Sequence, residues 1–375
     1  MKLRKAAIVL AAALTAASTA GCTLGQVEKA GETSAKAASS DREAMASSGD
    51  IEAEEGSQEP ASHEIQNPAQ AQKSQDPAKA QETGAEASEE ENEEDYTTGD
   101  ASLDNPRNQD EIGEKELLVV SFGTSYNDSR RLTIGAIEEA MEQSFPDYSV
   151  RRGFTSQIII DRVKNRDHIA MDNVKEALER ARDNGVKELV IQPTHLMDGL
   201  EYGDLVEEAA QYSDAFEKVA VGKPLLTSEE DFKAVAQAIA EDTAQYDDGD
   251  TAICFMGHGT EAQANQVYAK MQETLSAAGY DHYYVGTVEA SPSLEDVMEA
   301  VKKGGYKRVV LKPLMIVAGD HANNDMAGDD EDSWKNIFEK EGYEVICLLN
   351  GLGELEAVQQ LFADHARAAI DSLSQ

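Results

Sequence analysis

The feature that most constrains the fold of this 375-residue chain is a repeat within its C-terminal two-thirds. Leu118-Val119-Val120-Ser121-Phe122-Gly123-Thr124-Ser125 resembles Ile253-Cys254-Phe255-Met256-Gly257-His258-Gly259. Further on, Arg182–Pro193 resembles Lys303–Pro313, and each is followed by an apolar stretch ending in glycine, Leu196–Gly199 and Met315–Gly319. Self-similarity in a fixed order is the mark of a duplicated structural unit. The units themselves are legible. Short apolar runs at 117–122, 148–154, 188–192, 218–221, 251–256, 283–287, 308–311 and 344–349 alternate with amphipathic stretches. In 128–144, Leu132, Ile134, Ala136, Ile137, Ala140 and Met141 share one helical face, with Asp128 or Ser129 as the expected cap. Strands alternating with helices predict an α/β fold of two similar flavodoxin-like lobes, each a parallel sheet flanked by helices. The expected domain is 114–375, with lobe 1 at about 114–245 and lobe 2 at about 246–375.

The first third has a different character. Residues 1–22 read as a signal peptide: Lys2, Arg4 and Lys5, an apolar run from Ala6 to Ala17, then small residues. Thr19-Ala20-Gly21-Cys22 resembles the lipobox of bacterial lipoproteins, which makes Cys22 the expected lipidation site. The apolar run is short of the ~20 residues that a membrane span needs. Residues 23–113 are rich in Ala, Ser, Glu, Gln and Asp, with seven acids between Glu86 and Asp95. Such a segment buries too little apolar surface to offset chain entropy and is expected to be a disordered acidic tether, His63 included. These readings place the domain outside the cytoplasm, lipid-anchored to a bacterial membrane, periplasmic or at the cell surface. The formal net charge of −39 excludes binding of nucleic acid through its phosphates. Cys254 and Cys347 lie in apolar runs and read as core residues, with a bridge between them left open.

Three side chains fall at the carboxyl ends of expected strands in the second half: His258 in Gly257-His258-Gly259-Thr260, Glu289 in Gly286-Thr287-Val288-Glu289, and His321 in Val317–Met326. Ligands of parallel α/β sheets bind at that edge. Two imidazoles and a carboxylate suit Co²⁺, Fe²⁺, Ni²⁺ or Zn²⁺. With no cysteine partner, the set argues for exchange or catalysis rather than a closed structural zinc. The first half carries Thr124 where the second carries His258, as expected of a site grafted onto one copy.

These stretches, together with Val120–Ser125, Leu314–His321 and Asp325–Asp330, resemble the anaerobic-type sirohydrochlorin cobaltochelatases of the class II chelatase superfamily. The resemblance runs from Lys115 to the C-terminus. It implies the chelatase fold, with the active site in the cleft between the lobes. It also implies metal binding by His258, Glu289 and His321, with His258 as proton acceptor. The implied reaction inserts Co²⁺, as substrate metal, into sirohydrochlorin with release of two protons, in anaerobic cobalamin biosynthesis. Fe²⁺ or Ni²⁺ are alternatives, and no redox cofactor is expected. Imidazole chemistry agrees, because its unperturbed pKa is nearest neutrality. The export signal keeps a second reading open: a tetrapyrrole- or metal-binding lipoprotein for haem, iron or cobalt acquisition without turnover. A homo-oligomer is compatible with either. Ser121, Thr124 and Ser125 are candidates to bind substrate carboxylates or to cap a helix. Arg130 and Arg131 are candidates to pair with those carboxylates, and His195 to face the cleft. His168, His282 and His365 are expected at the surface. Asp329–Asp332 can relay cations, but reads better as the acidic lead-in to a helix containing Trp334.

Overall fold

A computed structural model describes residues 98–374 and the backbone of Val9–Leu10. The signal peptide, Cys22 and the acidic run at 86–95 lie outside the described residues, apart from that two-residue backbone. The strands are β1 (Val9–Leu10), β2 (Lys115–Ser121), β3 (Ser149–Phe154), β4 (Glu188–Pro193), β5 (Lys218–Val221), β6 (Thr251–Gly257), β7 (Tyr283–Thr287), β8 (Arg308–Pro313) and β9 (Glu344–Cys347). All eight expected apolar runs are strands.

The duplication is topological as well as sequential. One sheet has the order β1-β5-β4-β2-β3, the other β7-β6-β8-β9, and all pairings are parallel. With β1 set aside, each sheet places its first strand between its second and third, with the fourth beyond the third. The central strands β2 and β6 are covered on both faces. In β6 all seven residues are buried, which is why Ile253-Cys254-Phe255-Met256 reads as an unbroken apolar run rather than an alternation.

Helices fill the connections: α1 (Asn127–Arg130), α2 (Ala136–Ser144), α3 (Gln157–Asp167), α4 (Val174–Asp183), α5 (Leu200–Gln211), α6 (Glu229–Thr243), α7 (Gln266–Ala277), α8 (Leu294–Gly304), α9 (Trp334–Lys340) and α10 (Glu356–Ser372). Reciprocal caps start three of them: Asn173 with Glu176, Ser228 with Asp231, Ser293 with Asp296. The first helix differs from expectation. It begins at Asn127 and is interrupted by a π-helical turn at Arg131–Gly135, and neither Asp128 nor Ser129 caps it. Ser129 Oγ instead accepts a bond of 3.0 Å from the Ala318 N–H in the other half. Ser333 caps α9, so Asp329–Asp332 form the turn that leads into that helix.

The halves are not separable at residue 245. The largest core cluster contains Leu117 and Val119 from one sheet, Ile253 and Phe255 from the other, and Val358, Phe362, Ala366 and Ala369 of α10. These α10 residues recur at helical spacing and turn one stripe inward. By chain order α10 belongs to lobe 2, but it packs on β4, β5, α2 and α6 of lobe 1. His365, expected at the surface, is largely buried there, with its Nε2 at 3.2 Å from Asp231 Oδ1.

The tether boundary also shifts. Residues 98–113, expected to be disordered, form a strap from the start of α1, where the Asp128 N–H donates to Thr98 O at 2.7 Å, to the edge strand β3, where the Arg152 N–H donates to Arg107 O at 3.2 Å. The cause is charge burial. Arg151 and Arg152 are fully buried within β3, and buried cations need counter-charges. Asp104 of the strap accepts two bonds from Arg152 (2.7 and 3.0 Å) and one from Arg130 Nε (2.6 Å). Glu138 of α2 holds the other side of Arg152 at 2.7 Å. Burial by itself would raise the Asp104 carboxyl pKa, but Arg152 and Arg130 hold it below the usual carboxylate range. Cys254 and Cys347 are not bridged. Leu311 of β8 pairs with both, so they stand two strand spacings apart, about 9.5 Å, beyond disulfide reach.

Two predictions follow from the buried charges. Replacing Asp104 with Ala strands two buried guanidinium groups and should cost roughly 3–5 kcal/mol in denaturant unfolding; a loss under about 1 kcal/mol contradicts the strap's role. Glu116 is fully buried in β2, and burial pushes its carboxyl up to about 8 against the pull of Arg151. Its folded state keeps a proton that the unfolded chain releases, so its contribution is complete at acid pH and is lost as pH rises toward 8. Glu116→Gln should therefore flatten the fall in unfolding midpoint between about pH 5 and pH 8. Parallel profiles for wild type and variant would refute this.

Candidate metal centre

The three strands that lead to the candidate ligands are neighbours, in the order β7-β6-β8. Adjacent strands lie about 4.8 Å apart, so the loops leaving their carboxyl ends start within reach of one another. The central strand lies between neighbours reached by connections in opposite directions, which is the switch point where such sheets bind ligands. There the structure brings His258, Glu289 and His321 together, with one potential ligand atom from each lying within 4.8 Å of the others.

The local backbone explains the convergence. Strand-like pairing continues past β6 and β7. The Val288 N–H donates to Gly257 O (3.0 Å), and the Glu289 N–H to His258 O (2.9 Å). Gly259 sits at φ +91°, in the left-handed region, and a Cβ there would stand 2.8 Å from Ala290 N. Only glycine permits that approach of the two loops. The Gly259 N–H is held by Tyr268 Oη at 3.3 Å. His258 Nδ1 lies 2.8 Å from Gly259 O and 3.6 Å from Glu289 Oε2. The imidazole rings of His258 and His321 are nearly perpendicular, with centroids 4.4 Å apart. His321 Nδ1 lies 2.6 Å from Asp325 Oδ2. The site is open: the side chains of His258 and Glu289 are about half exposed (48% and 55%). Two grooves, of about 250 Å³ along α3 and α4 and about 640 Å³ between α6 and α7, include none of the three.

The first half meets this site through its own loop, with Thr124 Oγ1 lying against Gly319. The residues expected to contact substrate there lie below the surface. Ser121 Oγ accepts from Thr194 Oγ1 at 2.7 Å, Thr124 Oγ1 accepts from the Tyr126 N–H at 3.2 Å, and Ser121, Thr124 and Ser125 are all buried. Ser121 and Thr124 thus have hydrogen-bond partners within the protein. Arg130 is fully buried on Asp104, Asn127 and Thr124 O. Arg131 keeps about a third of its side chain exposed, beside Asp128. His195 follows β4, with both ring nitrogens shielded from solvent and unpartnered among the described residues. Burial pushes its pKa down to about 4, so it is a neutral imidazole.

Sequence reasoning missed one group. Phe122, Ile158 and Leu200 follow β2, β3 and β4 and are 50%, 73% and 69% exposed, leaving large apolar side chains along the carboxyl edge of the first sheet. The signal was present as apolar residues just beyond strand ends, where polar loops are the rule.

The family model described as cobalt chelatase (CbiK) matches residues 115–371. The chain belongs to this family. The sirohydrochlorin cobaltochelatase of Salmonella typhimurium (strain LT2) is 37% identical to it over 257 residues, covering 68% of this chain and 97% of the relative. The sirohydrochlorin cobaltochelatase CbiKC of Nitratidesulfovibrio vulgaris (strain Hildenborough) is 33% identical over 276 residues, covering 72% of this chain and 97% of the relative. The cobalt chelatase match starts at the first residue of β2, so the strap at 98–113 lies outside it.

The glycine between the two loops gives a direct check. Gly259→Ala forces a left-handed residue and a backbone clash, and should destabilise the protein by about 1–3 kcal/mol while weakening Co²⁺ binding. Wild-type stability and Co²⁺ affinity, by urea unfolding and calorimetry, would show that the close approach is not needed.

Proposed function

We propose that this chain inserts Co²⁺ into sirohydrochlorin, with His258, Glu289 and His321 holding the metal and His258 accepting the pyrrole protons. Membership of the cobalt chelatase family and the two named relatives support the reaction. The observation that carries the site assignment is the convergence of three donors from three adjacent strands within 4.8 Å. The donor set suits a metal in transit. Two imidazoles and one carboxylate bind Co²⁺ without the grip of thiolates and leave coordination positions for incoming pyrrole nitrogens.

The balance of the reaction sets the demands on the protein. Co²⁺ and the free-base macrocycle give the cobalt complex and two protons. Once Co²⁺ has passed to the macrocycle, the nitrogen of His258 that held it is free to take the protons in turn and pass them to solvent, to which the half-exposed side chain is open. Glu289, beside His258 Nδ1, stabilises the imidazolium while it carries a proton. The exposed Phe122, Ile158 and Leu200 offer apolar surface to the faces of the macrocycle. Fe²⁺ and Ni²⁺ suit the same donors, so preference for Co²⁺ is a matter for competition experiments.

Location remains part of the proposal. The N-terminal sequence supports an exported protein anchored through lipidated Cys22, with the acidic segment as spacer. That placement is what favours the second reading, a carrier that binds tetrapyrrole or metal without turnover.

A chelation assay on the full chain distinguishes the two. With sirohydrochlorin and Co²⁺, the wild type should insert metal, and His258→Ala should lower kcat by about 10²–10⁴-fold. Tight tetrapyrrole binding with no insertion above the uncatalysed rate would establish the carrier instead.

A further inference from the structure

Each imidazole of the centre has its Nδ1 engaged, but by different means. His258 Nδ1 faces a backbone carbonyl, Gly259 O, at 2.8 Å. His321 Nδ1 faces a side chain, Asp325 Oδ2, at 2.6 Å. We infer that Asp325 is a positioning residue: it accepts the Nδ1–H bond of His321, fixes its ring and tautomer, and leaves Nε2 as the atom offered to Co²⁺. The inference rests on the reading of His321 as a Co²⁺ ligand.

The frame around Asp325 is built to hold it there. His321 and Asp325 stand four residues apart at and within the π-helical turn Ala322–Met326. Such turns are rare and concentrate at functional sites. Asn323 Nδ2 donates to Gly319 O (2.7 Å) and to Ala318 O (3.3 Å), which ties the turn to the loop before it. Asn324 Nδ2 donates to Asp320 Oδ1 at 3.0 Å. That loop is fixed in turn by Ser129 of the first half, through the Ala318 N–H. The turn ends tightly, since a Cβ on Gly328 would stand 2.4 Å from Asn324 O. The Asp325 carboxylate is therefore carried on a braced backbone while its own side chain stays partly exposed (42%), so the fold does not depend on burying it. A carboxylate behind a ligating histidine orients the ring and raises its basicity.

The test uses the full chain and reads the KM for Co²⁺ and the KM for sirohydrochlorin separately. Asp325→Ala should raise the KM for Co²⁺ about 10–100-fold, with the sirohydrochlorin KM and the unfolding midpoint unchanged. Asp325→Asn keeps an oxygen that accepts the Nδ1–H bond and should stay within about threefold of wild type. His321→Ala is the reference. If His321→Ala weakens Co²⁺ use and Asp325→Ala does not, the positioning role is overturned while the metal site stands. If Asp325→Asn is as weak as Asp325→Ala, orientation by an accepted bond is overturned. If His321→Ala itself leaves the Co²⁺ KM unchanged, the site assignment fails and the inference falls with it.

Discussion

Parallel pairing of β6 with β7 on one side and β8 on the other is the constraint on which the rest of this protein depends. His258, Glu289 and His321 span 64 positions of sequence, and no local motif could gather them. Side-by-side strands place their carboxyl ends about 4.8 Å apart, so three loops leave the sheet from one short stretch of its edge. The close approach at Gly259 and the bond from Glu289 N–H to His258 O complete the gathering at the level of single atoms. The chemistry is thus a property of sheet order first and of side-chain type second.

The two halves have the same sheet order but different tasks. The second half contributes the donors. The first contributes the facing wall: a loop packed on Gly319, a hydroxyl on Ala318, and an edge of exposed apolar side chains. Buried charge ties that wall together. Asp104 in the strap joins Arg152 of β3 to Arg130 of α1, and Arg130 donates to Thr124 O in the loop that faces the site. A segment outside the family match therefore braces the wall opposite the donors. The shared core and the crossing of α10 bind the halves into one body.

Much of this was legible in the sequence, for physical reasons. Buried parallel strands are continuous apolar runs, so all eight core strands could be read, and the repeat gave the topology its two-fold logic. The three donors could be read because each stands just past such a run. What escaped was everything set by partners distant in sequence. Arg151 and Arg152 are ordinary strand residues until Asp104 and Asp172 are seen beside them. Ser129 looked like a helix cap and instead binds the other half. His365 looked exposed and is held by Asp231. Ser121, a candidate for substrate carboxylates or a helix cap, instead accepts from Thr194, 73 residues on. Hydroxyls, charges and histidines take their roles from neighbours that periodicity does not name.

The central claim is that two imidazoles and one carboxylate hold the substrate metal, in a chain whose many other carboxylates can also attract cations. X-ray absorption at the cobalt edge on the full chain, loaded with one equivalent of Co²⁺, tests it most directly. The account predicts scattering from two imidazoles in the wild type and from one in either His258→Ala or His321→Ala. An oxygen-only shell, or a spectrum unchanged by both substitutions, would contradict it.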